Sequence, residues 1–455
     1  MIAALGRVLS RVAQRAVPDP FVLALGLTAL VIGLGVARVA AVGSAPPGES
    51  PFWLVATGWA GSFSGTGLLA FALQMCLVLV TGHALALSPP VQRAVAALAR
   101  LPRSSAGAAA LVALVSALAA VGHWGLGAIV GAFVAREIGR HASARGLALH
   151  YPLLGAAAYC GLAVWHGGLS GSAPLKVAEP GHFAEGIAGV VPVSETLASP
   201  LNLVVTGALI ALLPALFYLL TPGDESEFAP PDPNRLGPLP ATTSRAVDSL
   251  PAWLQESPAV GRGAGALGLG YVVAAMASGR SALDINTVNM AFLFLGLACQ
   301  GSVRRYGEAI ADGAAGAGAI IVQFPFYFGI LGAMKASGMI DGISQWFVDI
   351  ASPTTFPTLA FLSAGIVNFL VPSGGGQWAV QGEILLGAGQ ALGVAPGTTI
   401  MAFSYGDAWT NMLQPFWALP LLGITGLKAR DIIGYTGVVF IAMGILVPTL
   451  LLVLT

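Results

Sequence analysis

An all-α polytopic membrane protein in two halves of similar length is the fold class this sequence predicts, on three observations. Of 455 residues, 56% are hydrophobic and 9% charged, whereas about a quarter of the residues of an ordinary soluble domain are charged. Several uncharged runs reach the roughly 20 residues a helix needs to cross a hydrocarbon layer about 30 Å thick. One long hydrophilic stretch, 222–262, divides the chain near its middle. The same composition excludes other classes. The 60 glycines follow no three-residue period, and three cysteines without C-x-x-C spacing build neither a disulfide scaffold nor a zinc site. Cys76, Cys160 and Cys299 read as packed core thiols. With 20 Lys+Arg against 20 Asp+Glu, there is no basic stripe for a nucleic acid partner.

The elements follow in order. Arg7, Arg11 and Arg15, at i, i+4 and i+8, line one face of a short amphipathic helix on the membrane surface and place the N-terminus inside. Clear spans are 20–42, 66–87, 201–220, 313–333 and 431–454. Less regular segments at 106–135, 152–165, 264–279, 285–300, 355–371, 377–394, 397–411 and 412–427 bring the total to roughly nine to twelve membrane elements. Loop 43–65 lacks Lys and Arg and reads as external, while Arg93, Arg100 and Arg103 make 88–105 cytoplasmic. Arg136, Arg140 and Arg145 then follow 106–135 and also ask to be inside, which one crossing cannot satisfy. Either Gly122-His123-Trp124-Gly125-Leu126-Gly127 breaks that segment in two, or the arginines lie on an interfacial helix. Lys428 and Arg430 place the start of the last span inside, so Thr455 is expected outside and the number of crossings odd. Stretch 222–262, with prolines from Pro222 to Pro240 and acidic Asp224, Glu225, Glu227 and Asp232, reads as a linker between 1–221 and 263–455. Near-equal halves around a linker are the usual footprint of an internal repeat.

Both halves contain a glycine-serine interruption beside a Pro and a Trp: 165–174 (WHGGLSGSAP) and 371–378 (VPSGGGQW). Glycine at this density breaks helices and permits close backbone approach. A polar cluster follows each, 192–202 (PVSETLASPLN) and 404–415 (SYGDAWTNMLQP), and a full apolar span closes each half. Non-helical backbone at membrane depth is tolerated only where protein or a water-filled cavity supplies hydrogen-bond partners, so paired interruptions point to a binding site. Half-helix N-termini suit a carboxylate; unwound carbonyls and hydroxyls suit a small cation. Asp407 is the lone charged residue between Glu383 and Lys428, and a buried ionisable group in such a setting is a functional candidate.

At these residues a resemblance becomes specific. VPSGGGQWAVQG (371–382), TNMLQPFWALPLLGITGLKARDIIGY (410–435) and WHGGLSGSAPL (165–175) resemble the bacterial short-chain fatty acid transporter family, of the acetoacetate and butyrate type, and the likeness runs over essentially the whole chain. The resemblance implies uptake of short-chain carboxylates through the inner membrane by a multi-pass protein that is not an enzyme. It also implies two inverted repeats, each with a re-entrant hairpin (near 152–180 and 355–394) and an unwound helix (near 404–415 in the second), a dimer, and an elevator motion. Carried over by position, Gly167, Gly168, Ser170, Gly171 and Ser172 form the first hairpin tip, and Ser373, Gly374, Gly375, Gly376 and Gln377 the second. Ser194, Glu195 and Thr196 resemble a Ser-Asn-Thr element of dicarboxylate-transporting relatives, differing in the middle residue and in position. Glu383 stands where proline is usual in the family.

The expected mechanism is secondary transport in which the two breaks meet near the midplane. Gly167, Gly168, Ser170, Ser172, Ser373, Gly374, Gly375, Gly376, Gln377, Trp378, Thr410 and Asn411 hold the carboxylate, and small uncharged walls take the acyl tail. Asp407, with Glu195, Ser194 and Thr196, couples H⁺ or Na⁺; no other cofactor is expected. No Lys or Arg lies between Lys335 and Lys428, so affinity rests on dipoles and hydrogen bonds, unless Lys176 contributes a charge. His123 and His166 read as packing histidines, Asn202 and Asn411 have capping as their simpler role, and Asp284 reads as the cap of a helix opening Ile285-Asn286. Two rival functions remain: a passive channel for small acids lined by the same breaks, and an intramembrane serine protease built on Gly168-Leu169-Ser170-Gly171 with His123 or His166 as base. The second leaves the second break unexplained.

Overall fold

The computed structural model describes residues 20–63, 66–232, 236, 247–414 and 416–455. The surface helix expected around Arg7, Arg11 and Arg15 lies outside them, as do Pro233, Pro238, Pro240 and Pro415. All regular structure among the described residues is helical. The first half comprises α1 (Pro20–Val42), α2 (Pro51–Phe63), α3 (Thr66–Ala86), α4 (Pro89–Leu98), α5 (Ser105–Gly122), α6 (Trp124–Arg145), α7 (Tyr151–Cys160), α8 (Ser172–Val177), α9 (Glu185–Ala188) and α10 (Pro200–Leu219). The second comprises α11 (Leu250–Glu256), α12 (Pro258–Ala277), α13 (Ile285–Gln300), α14 (Val303–Ala314), α15 (Gly318–Ala336), α16 (Met339–Ile350), α17 (Phe356–Asn368), α18 (Gly374–Ala391), α19 (Pro396–Asn411), α20 (Leu419–Thr425) and α21 (Ala429–Leu454).

Among the described residues, α1, α3, α5, α10, α12 and α21 are long and apolar enough to cross a membrane. A seventh span is counted if α14 and α15, bent by 43° where they join, are taken together. The expected run 313–333 is therefore shifted, its helix spanning Gly318–Ala336. The linker ends earlier than 262: Ser249 and Ser257 precede Leu250-Pro251 and Pro258, and proline in the first turn starts a helix without losing a needed N–H.

Segment 106–135 breaks at His123, whose extended backbone (φ −164°, ψ 124°) separates α5 from α6. The two helices then run antiparallel: Gly127 backs onto Ala120, Gly131 onto Ser116, and the Arg145 guanidinium donates to the Arg100 carbonyl at 3.3 Å. The chain thus returns to the end where it began, and the charge conflict disappears because both basic flanks share one end. Segment 151–177 is a helix to Cys160, a 3-10 turn over Gly161–Gly167, and the short α8. The antiparallel doubling expected near 152–180 falls instead at 105–145.

In the second half α17 and α18 double back, Gln377 donating to the Ala364 carbonyl and Gln381 to Ser363 Oγ. Gly374 to Gln377 are not the tip but the first turn of α18, capped by Ser373, because Ser373 Oγ accepts the Gly376 N–H. α19 remains helical to Asn411, so the interruption expected at 404–415 begins instead after Asn411, and a 3-10 turn over Phe416–Ala418 precedes α20.

Within each half, the first hairpin arm lies parallel to the broken helix that follows. Ser116 Oγ donates to the Ala158 carbonyl and the His150 N–H to Ser105 Oγ, at sequence separations of 42 and 45. Asn368 Nδ2 meets Thr410 Oγ1 and Asn411 Oδ1 at separations of 42 and 43. One end of the molecule gathers Arg100, Arg145, Tyr151, the linker at Ala229 and Thr425: the Tyr151 N–H donates to the Ala229 carbonyl, and its hydroxyl to the Thr425 carbonyl. At the other end the Glu195 backbone packs on Gly397 at the start of α19. α10, about 30 Å long by its 20 residues, joins the two ends. Around this core, α1 and α2 pack on α15, and α13 and α14 on α3.

Candidate functional site

The two broken helices meet. Gly374 lies so close to the first break that a Cβ there would overlap the His166 ring, with Cε1 at 2.7 Å and the Trp165 ring at 2.9 Å. His166 Nε2 lies 3.0 Å from Asp407 Oδ1, both side chains fully buried. The pair is at ion-pair distance but not aligned as a hydrogen bond, so both His166 nitrogens and Asp407 Oδ2 have no hydrogen-bond partner among the described residues. Unsatisfied buried polar atoms are costly.

Asparagines and tyrosines hold the pair in place. Asn368 Nδ2 donates to the Asp407 carbonyl at 3.0 Å, and Asn411 Nδ2 approaches Asp407 Oδ1 at 3.5 Å. Asn202 Nδ2 donates to the Gly167 carbonyl at 2.9 Å, and its Oδ1 accepts from the Tyr405 hydroxyl at 3.0 Å, so the first break is tied to α19. Tyr159 caps the second break by donating to the carbonyls of Asn411 and Gln414.

Beside this cluster a narrow cavity is walled by Met75, Leu162, Phe324 and the indoles of Trp124, Trp165 and Trp417; Ser373, Gly374, Gly375 and Asn411 form its polar corner. Gly374 and Gly375 belong to the first turn of α18, whose amides have no carbonyl partner within the helix. Helix N-termini of this kind stabilise an anion.

The residues singled out in the sequence are dispersed by the fold. Ser373, Gly374, Gly375 and Asn411 line the cavity, and Asp407 stands behind Asn411. Ser172 Oγ is buried without a hydrogen-bond partner. Ser170 accepts the Trp124 N–H at 2.8 Å, and Gly168 backs onto Val121, so this part of the break fastens the α5–α6 tip. Gly167 packs on Asn202 and Thr206, and Gly376 on the Tyr327 ring. Gln377 binds α17, Trp378 packs at a tilt against Phe403 with ring centroids 4.9 Å apart, and Thr410 accepts from Asn368. Ser194, Glu195 and Thr196 are not brought to Asp407: Glu195 sits at the opposite end of α19, beside Gly397. Lys176 is not available to a substrate charge either, since it is buried, 2.7 Å from Glu179 and over the Phe71 ring. Glu383 pairs with Lys335 at 2.6 Å.

Composition and spacing had no means of naming Met75, Phe324, Leu162 or Trp417, which come from four separate elements. Asn368 carried a signal, as a lone amide in an apolar run just before Val371-Pro372. The Glu179 carboxylate, held by Lys176, Gln74 and Asn286, went unnoticed because its partners are spread over three elements.

Apolar spans packed around two broken helices and a buried polar cluster define a multi-pass membrane transporter. The chain belongs to the short chain fatty acid transporter family, whose model matches residues 1–454. It is 38% identical over 450 residues to an Escherichia coli protein described as "Putative short-chain fatty acid transporter", covering 97% of this chain and 99% of that one. A Haemophilus influenzae protein of the same description is 35% identical over 456 residues, covering 97% and 98%. The fold is similar to the crystal structure of the Alcanivorax borkumensis YdaH transporter, with a TM-score of 0.58 and 14% identity over 96% of this chain and 98% of that one.

Proposed function

We propose that this protein is a secondary active carrier of short-chain monocarboxylates, such as butyrate or acetoacetate, across the bacterial inner membrane. The observation that carries the reading is the two-faced cavity. The Gly374 and Gly375 amides, Ser373 and Asn411 would take a carboxylate, and the walls of Met75, Leu162, Phe324 and three tryptophans would take a short acyl tail. No fixed cation is needed, because the α18 N-terminus supplies the positive end. Asp407 and His166 form the coupling site for H⁺ or Na⁺; Asn411 links it to the cavity.

In this reading the halves are inverted repeats, each an antiparallel hairpin, a broken helix and a closing span: 105–219 and 356–454. Two features support it, the parallel packing of hairpin arm on broken helix at matching offsets and the opposite ends from which the hairpins open. The repeat pairs α5–α6 with α17–α18, and the break at 161–171 with that after Asn411, rather than 165–174 with 371–378. Counting α1, α3, α10, α12, α13, α15, α21 and the two broken helices as crossings gives nine, an odd number. With Arg100, Arg145 and Lys428 cytoplasmic, the C-terminus is periplasmic. An elevator motion of a dimer fits the division into core and outer helices.

Purified protein in liposomes loaded with radiolabelled butyrate tests the function. External acetoacetate should accelerate butyrate efflux, and an imposed H⁺ or Na⁺ gradient should drive accumulation. Efflux unaffected by external acid would indicate a channel, and absence of any butyrate movement would reject the substrate class.

A further inference from the structure

Five helix termini, away from the transport cavity, enclose a cleft lined by Pro89, Arg93, Glu256, Arg262, Cys299 and Arg305 among others. α4, α12 and α14, each of ten residues or more, begin there, and α13 and the seven-residue α11 end there. Three positive dipole ends outnumber two negative ones, one of them from the short α11, and the balance favours an anion. The side chains add to this. Glu256 is the lining carboxylate, and Arg304 already holds it, its Nη2 donating to Oε2 at 3.2 Å. Arg93, Arg262 and Arg305 bring three guanidinium groups to the same space, and among the described residues no ion pair joins any of them to a carboxylate. Gly261 packs directly on the Gly301 carbonyl, and the Arg262 guanidinium lies beside Gly301, which keeps the wall in place.

The adjoining surface indicates depth. α11, which ends in Glu256, exposes Leu250, Trp253 and Leu254, with Val247 exposed just before it. Apolar side chains and an indole at the mouth of a spanning helix belong in the interfacial layer of a bilayer, where Trp is enriched. A cationic cleft at that level faces lipid headgroups, and basic pockets between membrane helices recognise anionic ones. We propose that this cleft binds the phosphate ester headgroup of an anionic phospholipid. The guanidinium forks of Arg262 and Arg305 would take the phosphate oxygens, and the acyl chains would lie along α12, whose outward face carries Leu267, Tyr271 and Val273.

The test uses the full chain in neutral detergent. Cys299 lines the cleft, while Cys76 and Cys160 are buried, so its maleimide labelling reports occupancy. Added phosphatidylglycerol should slow labelling at concentrations where phosphatidylcholine does not. In native mass spectrometry, Arg262→Gln with Arg305→Gln should lower phosphatidylglycerol retention by about fivefold per arginine, about 25-fold together. Arg280→Gln, at the opposite end of α12, should leave it within about twofold. Equal retention of the two lipids by the unmodified protein, or unchanged retention in the double variant, would overturn the proposal. If the double variant does not fold, failure of phosphatidylglycerol to protect Cys299 in the unmodified protein overturns it instead. Inorganic phosphate protecting Cys299 as strongly as phosphatidylglycerol would overturn the lipid assignment.

Discussion

Gly374→Ala probes the contact on which the proposed site depends. The added methyl would sit 2.7 Å from His166 Cε1 and 2.9 Å from the Trp165 ring, where carbon atoms ordinarily approach to about 3.5–4.0 Å. Both rings are hemmed in. His166 is fully buried against Asp407, and the Trp165 ring centroid lies 3.6 Å from that of His166 and 6.1 Å from that of Trp124. The α18 N-terminus must therefore withdraw by about 1 Å, and overpacking of this kind costs about 1–3 kcal/mol. At 1.4 kcal/mol per tenfold, the closed arrangement falls in occupancy by about 5- to 150-fold. Butyrate uptake into proteoliposomes should fall over that range, with the loss in apparent affinity, because the Gly374 and Gly375 amides move away from the cavity. Gly387→Ala, on the same helix, is the control: its methyl meets Ser344 Oγ at an ordinary 3.5 Å, and alanine in a helix interior is favourable by about 0.5–1 kcal/mol. Unchanged uptake kinetics in Gly374→Ala, whatever its melting temperature, would refute the assignment of this contact to the transport site.

Asp407→Asn should abolish gradient-driven accumulation while sparing acetoacetate–butyrate exchange; pH-dependent accumulation persisting in that variant would remove Asp407 as the proton site. Glu179→Gln should lower the melting temperature more than Lys176→Met, because it leaves a buried ammonium unpaired, a loss of about 3–5 kcal/mol at most, and the double variant should recover part of the loss. His150 lies in the connection before α7, its Nδ1 accepting the Ala229 N–H at 3.1 Å and its Nε2 meeting the Tyr435 hydroxyl at 2.6 Å. Burial holds it below the usual imidazole range, with Glu227 opposing. Its contribution to stability is then full above about pH 6.5 and is lost as the pH falls from there toward the lower folded value, since the unfolded chain binds the extra proton. Thermal unfolding at pH 7.5 and 5.5 should show that drop in the unmodified protein and a smaller one in His150→Asn, which keeps an acceptor for Ala229.

What was legible in the sequence follows from what a bilayer demands locally. Runs 20–42, 66–87, 201–220 and 431–454 match α1, α3, α10 and α21 to within two residues, because a strongly apolar run of about 20 residues in lipid has no alternative to a helix. Backbone breaks were located less well. Gly374 to Gly376 read as unwound because glycine weakens helices, yet they begin α18, where Ser373 caps the turn and the Tyr327, Phe71 and His166 rings leave no room for a Cβ. Here glycine serves close approach rather than unwinding. The α5–α6 hairpin was visible as a contradiction between two groups of arginines, with Gly122 to Gly127 marking where one of two alternatives put a break, and the reversal at His123 decides for it. The pairing of His166 with Asp407 depends on tertiary structure alone: each residue stood out by itself, and nothing in the sequence around either one names the other.

The position of the cavity explains why a carrier would place its polar lock elsewhere. One wall, Met75, Ile320 and Phe324, comes from α3 and α15, and the other, Leu162, Trp165, Ser373, Asn411 and Trp417, from the broken helices and α18. The second wall is bound together by Asn202 to Tyr405, Tyr159 to Asn411 and His166 to Asp407, all of which join core elements to one another. Contacts across the boundary are mostly apolar side chains, which slide without leaving unsatisfied donors. The exceptions are Glu383, which pairs with Lys335 of α15 at 2.6 Å, the Ile384 carbonyl, which accepts from Ser344 Oγ of α16 at 3.0 Å, and Glu179, which accepts from Gln74 Nε2 at 3.1 Å and from Asn286 Nδ2 at 2.8 Å and so ties the core to α3 and α13. Movement of the core past α3 must break the Glu179 bonds, so in the proposed carrier their strength contributes to the barrier between the two access states. Gln74→Leu with Asn286→Leu removes the donors on the outer helices while keeping the Lys176–Glu179 pair. It should raise the exchange rate and lower the melting temperature together. A lower melting temperature with no gain in exchange would place the boundary of the moving part somewhere else.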